Sequence, residues 1–148
     1  MNATRVSYTL DSTLESVNKA EEMAQNFGVK AGFDEEEVQR IAMAVREAAV
    51  NAVLHGNAYD PKKRVTVVFE TSAQALTISV RDEGQGLDAL DIPDPLAPEN
   101  LLKQSGRGIF LIRAFMDEVR FRNMEPGTEV TLIKHVRGAD SDGKEASQ

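Results

Sequence analysis

The chain has 148 residues, 41% of them hydrophobic and 28% charged, with a formal net charge of −7. That length suits one domain with its own core, the composition weighs against disorder, and no apolar run approaches the length of a membrane span. The acidic balance disfavours direct nucleic-acid binding, whose usual first sign is a basic surface. The lack of cysteine excludes disulfides, thiolate metal sites and cysteine nucleophiles, and it is compatible with a reducing cytoplasm. No basic start followed by an apolar stretch marks a secretory signal in "MNATRVSYTLDS".

"RVSYTL" (5–10) alternates and predicts a first strand. Asp11 or Ser12 is then placed to cap a helix running to about 26–28, with Leu14, Val17, Ala20, Met23 or Ala24, and Phe27 inward and Gly28 or Gly32 ending it. A second helix is predicted over 33–57, with Asp34 as cap and acidic residues in its first turn, where the helix dipole favours them. Val38, Ile41, Ala42, Val45 and Ala49 form its buried stripe. Residues 56–63 read as a turn, and 64–71 with 75–82 as a β-hairpin of branched and aromatic residues. The stretch 83–108 carries three prolines and four glycines and predicts a lid or binding loop. A third helix is expected over 109–119, then strands at 119–123 and 128–136 around "MEPG", and a polar, disordered tail at 137–148. The order β-α-α-β-β-lid-α-β-β gives a two-layer α/β (α+β) sandwich over 1–136, a mixed, mostly antiparallel sheet with three helices on one face.

Within "EAAVNAVLHGNA" (47–58), Glu47, Asn51 and His55 recur at a spacing of four, which puts them on one helical face. A polar column of this kind on an otherwise small, apolar helix suggests a site. Downstream, "DEGQG" (82–86) closes a strand and "SGRG" (105–108) opens a helix. The first lets a carboxylate point inward while the backbone turns tightly. The second offers unpaired N–H groups and the positive end of a helix dipole to phosphate.

Together these motifs resemble the GHKL ATPases of the Bergerat fold, and most closely their small bacterial branch, the anti-sigma factor serine kinases. "EAAVNAVLHGN" is similar to the family's N box, "DEGQGLD" and "SGRGIFLIRAFMDEV" to its two glycine boxes, and "GTEVTLIK" to its last strand. The resemblance covers residues 5–136 and implies a histidine-kinase-like ATPase domain with ATP and Mg²⁺ as cofactors. It implies that Asn51 coordinates Mg²⁺ and that Glu47 is the general base. Asp82 would accept from the adenine amino group, and Gly84 and Gly86 would let base and ribose approach. Gly106, Arg107 and Gly108 would face the phosphates, with Lys103 and Ser105 reaching them from the lid, and Thr128 would lie near adenine.

The function so implied is that of a cytoplasmic, homodimeric protein-serine kinase and anti-sigma factor. It would sequester a sigma factor and phosphorylate an anti-anti-sigma protein on serine. The alternatives are a switch kinase acting on a stress-signalling scaffold and a nucleotide-sensing binding module without phosphotransfer. Glu47 favours an enzyme, because holding ATP needs Asn51 and Asp82 but no base. His55 reads as closing the helix by bonding a carbonyl, and no residues remain for the phosphotransfer region of a histidine kinase. Two features depart from the family pattern. Glu129 follows Gly-Thr, where strand alternation turns it away from Thr128, and the acidic lid leaves positive charge to Lys103 and Arg107.

Overall fold

The computed structural model describes residues 3–84 and 104–136, and for 104–107 only the backbone. Among the described residues, five strands and three α-helices occur in the order β1 (Thr4–Asp11), α1 (Leu14–Lys30), α2 (Glu35–Val50), a π turn (Asn51–Gly56), β2 (Arg64–Thr71), β3 (Ala75–Arg81), α3 (Gln104–Phe115), β4 (Glu118–Asn123) and β5 (Thr128–His135). The sheet runs β1-β2-β3-β5-β4. All the pairings among the described residues are antiparallel. The expected tail, Gly86, Lys103 and most of the expected lid lie outside the described residues.

Period-two alternation decides the layers. Val65, Val67 and Phe69 of β2, Leu76, Ile78 and Val80 of β3, and Val130 and Leu132 of β5 are buried on one face. Against them pack Val17, Ala20 and Ala24 of α1, Ile41, Ala42, Ala44, Val45, Ala48 and Ala49 of α2, and Ile112 of α3, while Val38, also expected in that stripe, is buried against Gly28. Phe27 stacks on Phe69 at 4.5 Å between ring centroids, with Tyr8 edge-on to Phe69 at 6.1 Å. Small residues on α2 let it lie close to the sheet, between α1 and α3.

Several local expectations shift. Thr13, not Asp11 or Ser12, caps α1, its hydroxyl accepting from the Ser16 N–H at 3.2 Å. Asp11 is still in β1, paired with Arg64, and Ser12 is buried for another purpose. Leu14, first in the helix and beyond the core's edge, is 56% exposed. Gly28 does not stop α1. It is buried against Val38, and Gly32, at φ +94°, breaks the chain direction two residues after Lys30. Asp34 caps α2 as expected, accepting from Glu37 N–H at 2.8 Å. The predicted continuous helix ends early: from Asn51 its bonding widens to a π turn, a feature that recurs at functional sites. The third helix begins at Gln104 rather than 109 and ends at Phe115, so the second glycine cluster lies inside its first turns.

Candidate functional site

Two clusters form where the C-terminal end of α2, the end of β3 and the start of α3 converge. The first surrounds Asp82, directly after β3 and only 7% exposed. Its backbone continues the β3–β5 ladder, Asp82 N–H donating to the Thr128 carbonyl at 2.9 Å. Its Oδ1 accepts from Gly84 N–H at 2.9 Å and Thr128 N–H at 3.1 Å. Oδ2 accepts nothing from the described residues and lies against Gly56, where a β-carbon would stand 2.3 Å from it. Burial pushes the Asp82 carboxyl up from its ordinary value of 3.8, opposed by the two N–H donors and by the charges of Lys63 and Arg81.

Glycines permit this approach. A β-carbon on Gly84 would fall 2.0 Å from the Gly56 carbonyl oxygen, and Gly127, at φ +101°, sits against the Asp82 carbonyl. Gly56 and Gly127 carry no role in the sequence reading, although each stands beside a residue that does.

Asn57 is the larger omission. It is 1% exposed, and its amide joins three segments. Nδ2 donates to Ser12 Oγ at 2.8 Å and to the Arg64 carbonyl at 3.0 Å, while Oδ1 accepts from Glu83 N–H at 2.8 Å. Ser12 Oγ donates onward to the Lys63 carbonyl at 2.6 Å, and Glu83 Oε1 accepts from Arg64 N–H at 2.8 Å. The turn that aims Asp82 is thus fastened to β2 and to the β1–α1 junction. Its partners lie far apart in sequence, so no local pattern announces it.

The second cluster pairs α2 with α3. Glu47 and Asn51, both half-buried, face Gly108: a methyl group there would meet Glu47 Oε1 at 2.9 Å and Asn51 Nδ2 at 3.9 Å. A half-turn of the Asn51 amide would present its oxygen instead. The carboxylate, the carboxamide and the start of α3 therefore share one place. The side chains of Ser105 and Arg107 lie outside the described residues, as does any contact of Gly106 beyond its place in α3. His55, in the last turn of the π segment, is exposed and makes no side-chain hydrogen bond to the described residues, so the expected carbonyl bond is not among its contacts. Glu129 turns to the opposite sheet face and pairs with Arg122 at 3.0 Å, away from Asp82.

A family model for the histidine kinase-like ATPase domain matches residues 10–134. The chain belongs to that family. It is 34% identical over 106 residues to an anti-sigma F factor of Anoxybacillus flavithermus, covering 68% of this chain and 71% of the relative. It is 30% identical over 115 residues to the serine-protein kinase RsbW of Bacillus subtilis, covering 74% and 71%. Among solved structures it resembles the RsbU and RsbW domains of Rv1364c from Mycobacterium tuberculosis, at a TM-score of 0.65 and 23% identity, over 88% of this chain and 32% of that one. That last likeness carries the fold alone. Among the described residues, no helix is long and apolar enough to cross a membrane.

Proposed function

We propose that this histidine kinase-like ATPase domain is an ATP-dependent protein-serine kinase that doubles as an anti-sigma factor. It holds a sigma factor and phosphorylates an anti-anti-sigma protein on serine. The observation that carries the reading is the seating of Gly108 directly on Glu47, one turn from Asn51. A nucleotide-binding module needs no carboxylate there, whereas phosphoryl transfer to a hydroxyl needs a base. The relatives named serine-protein kinase and anti-sigma F factor support the same conclusion.

In this reading Asp82 Oδ2 accepts from the adenine amino group, while Oδ1, held by two N–H donors, fixes the carboxylate's orientation. Guanine carries a carbonyl at that position and would be repelled. Gly84 and Gly86 leave room for base and ribose, and Thr128 borders the base. The start of α3, with Gly106, Arg107 and Gly108, faces the phosphates, joined by Lys103 and Ser105. Asn51 fits a hard cation through its carboxamide oxygen. A Mg²⁺ bound there would neutralise phosphate charge and orient the γ-phosphoryl group. Glu47 takes the proton from the acceptor serine as a new serine O–P bond forms and the bond from Pγ to the β–γ bridging oxygen breaks, so that ADP leaves. The working form is a cytoplasmic homodimer.

The test is Glu47→Gln, which keeps shape and removes the base. Fluorescent-nucleotide affinity should stay within about twofold, while labelled-phosphate transfer to the anti-anti-sigma protein should fall about 10²–10⁴-fold. Undiminished transfer would take Glu47 out of the mechanism. No transfer by the unaltered chain with its true partner would leave a nucleotide-sensing module.

A further inference from the structure

Lys134 is a buried cation that the site chemistry does not use. It follows Val130 and Leu132 on the helix-facing side of β5 and is only 6% exposed. Its ammonium donates to the carbonyl of Phe115, the last residue of α3, at 3.1 Å. It also lies 3.1 Å from Glu37 Oε1 in the first turn of α2 and 4.0 Å from Asp117 Oδ1. Glu37 Oε1 is shut off from water and receives no aligned hydrogen bond from the described residues, so the ammonium charge is what offsets its burial. The other oxygen, Oε2, holds Arg40 at 3.2 Å.

These contacts define how two helices are tied. Gly108, near the start of α3, rests on Glu47 late in α2, while Phe115, at the end of α3, meets Glu37 at the start of α2 through Lys134. The helices are therefore antiparallel and joined at both ends, with the second tie roughly 10–15 Å from the first by helical rise. The near tie is a van der Waals contact with a glycine, which resists approach but not separation. Beside the apolar packing of Ile112 against α2, the far tie is the polar link among the described residues that draws the two helices together.

We infer that Lys134 is a positioning residue for phosphoryl transfer: it fixes the spacing and tilt of α3 against α2, and so holds the start of α3 over Glu47 and Asn51. This rests on the kinase reading above. Misplacement of reacting groups by about 1 Å can cost on the order of 10²-fold in rate, whereas the adenine end, built on β3, β5 and Asn57, does not depend on this tie.

The test uses the full chain carrying Lys134→Met with Glu37→Gln, which removes both charges and leaves no buried ion unpaired. ADP affinity should stay within about twofold, Mg²⁺-dependent ATP affinity should fall about tenfold, and single-turnover transfer should fall between about 10- and 10²-fold. Amide exchange should quicken over 108–111 but not in β3. Lys134→Arg, which keeps the charge, should recover part of the transfer rate. If the double variant does not fold, Glu37→Gln alone carries the test through the same selective loss, reduced to about threefold. Unchanged transfer, or a uniform loss of ADP binding with faster exchange throughout, would overturn the inference. If the unaltered chain transfers no phosphate, the kinase reading fails separately. The ATP-over-ADP affinity and the exchange pattern then decide the clamp, and equal ratios in variant and unaltered chain would reject it.

Discussion

Replacing Asn57 by alanine should weaken both the fold and the adenine end of the site, and by amounts that can be worked out. The substitution deletes three hydrogen bonds, to Ser12, Arg64 and Glu83. At about 1 kcal/mol net each, the loss is about 3 kcal/mol, more if the Glu83 N–H finds no water. For a chain of this size that corresponds to a fall in melting temperature of roughly 10 °C. The backbone after Asp82 also loses its tether, so nucleotide affinity should drop about tenfold even at temperatures where the variant remains folded. Denaturant unfolding read by circular dichroism gives the first quantity, and a fluorescent-nucleotide titration well below the transition gives the second. A stability change under about 0.5 kcal/mol would refute the claim that this amide binds three segments together. A full stability loss with unchanged affinity would confine Asn57 to the fold.

Gly108→Ala should leave stability unchanged or raised by up to about 1 kcal/mol, since alanine suits a helix better. Its methyl group would displace the Glu47 carboxylate, so phosphate transfer should fall; full activity would mean that Glu47 acts from another position. Asn51→Ala should weaken Mg²⁺-dependent ATP binding and spare metal-free ADP binding in calorimetry, and a parallel loss of both would make Asn51 structural. Asp82→Asn should abolish the preference for ATP over GTP. It should also change the pH profile of stability in a set direction. Because the folded carboxyl titrates above its ordinary value, the folded chain binds the extra proton in that window, and the unaltered protein loses stability as pH rises through it. The melting temperature of the variant relative to the unaltered chain should therefore climb with pH from just above 3.8 and then level off. A flat difference would show that burial does not burden Asp82.

The order of elements and the core stripes were legible because alternation and helical spacing report burial directly: Val65, Val67 and Phe69, or Ile41, Ala42 and Val45, can face only one way. Glu47, Asn51, Asp82, Gly108 and Thr128 could be placed because each sits at the end of such an element, and the structure brings them into two neighbouring clusters. What stayed hidden depends on contacts between distant segments. Thr13 and the adjacent Ser12 are both competent caps, and the choice is made by Asn57, which claims Ser12. Gly28 looks like a stop signal, but its bare backbone is needed against Val38. The π turn cannot be told from ordinary helix by its residues. Lys134 did leave a trace, as the one charged residue in phase with Val130 and Leu132, and a strand that puts lysine on its apolar side implies a buried partner.

If Asp82 Oδ2 receives the adenine amino group as proposed, its half-satisfied carboxylate would make the folding of this chain responsive to metabolism. With one oxygen bonded and the other turned toward Gly56, the bare protein keeps a desolvated charge that an adenine donor would relieve. A ligand that binds only the folded form, present at a hundred times its Kd, adds about 2.7 kcal/mol to stability. That is close to what the loss of Asn57 is expected to remove. Under that proposal, sequence changes that would unfold the bare chain would persist where adenine nucleotide is plentiful, and become harmful only when the supply falls.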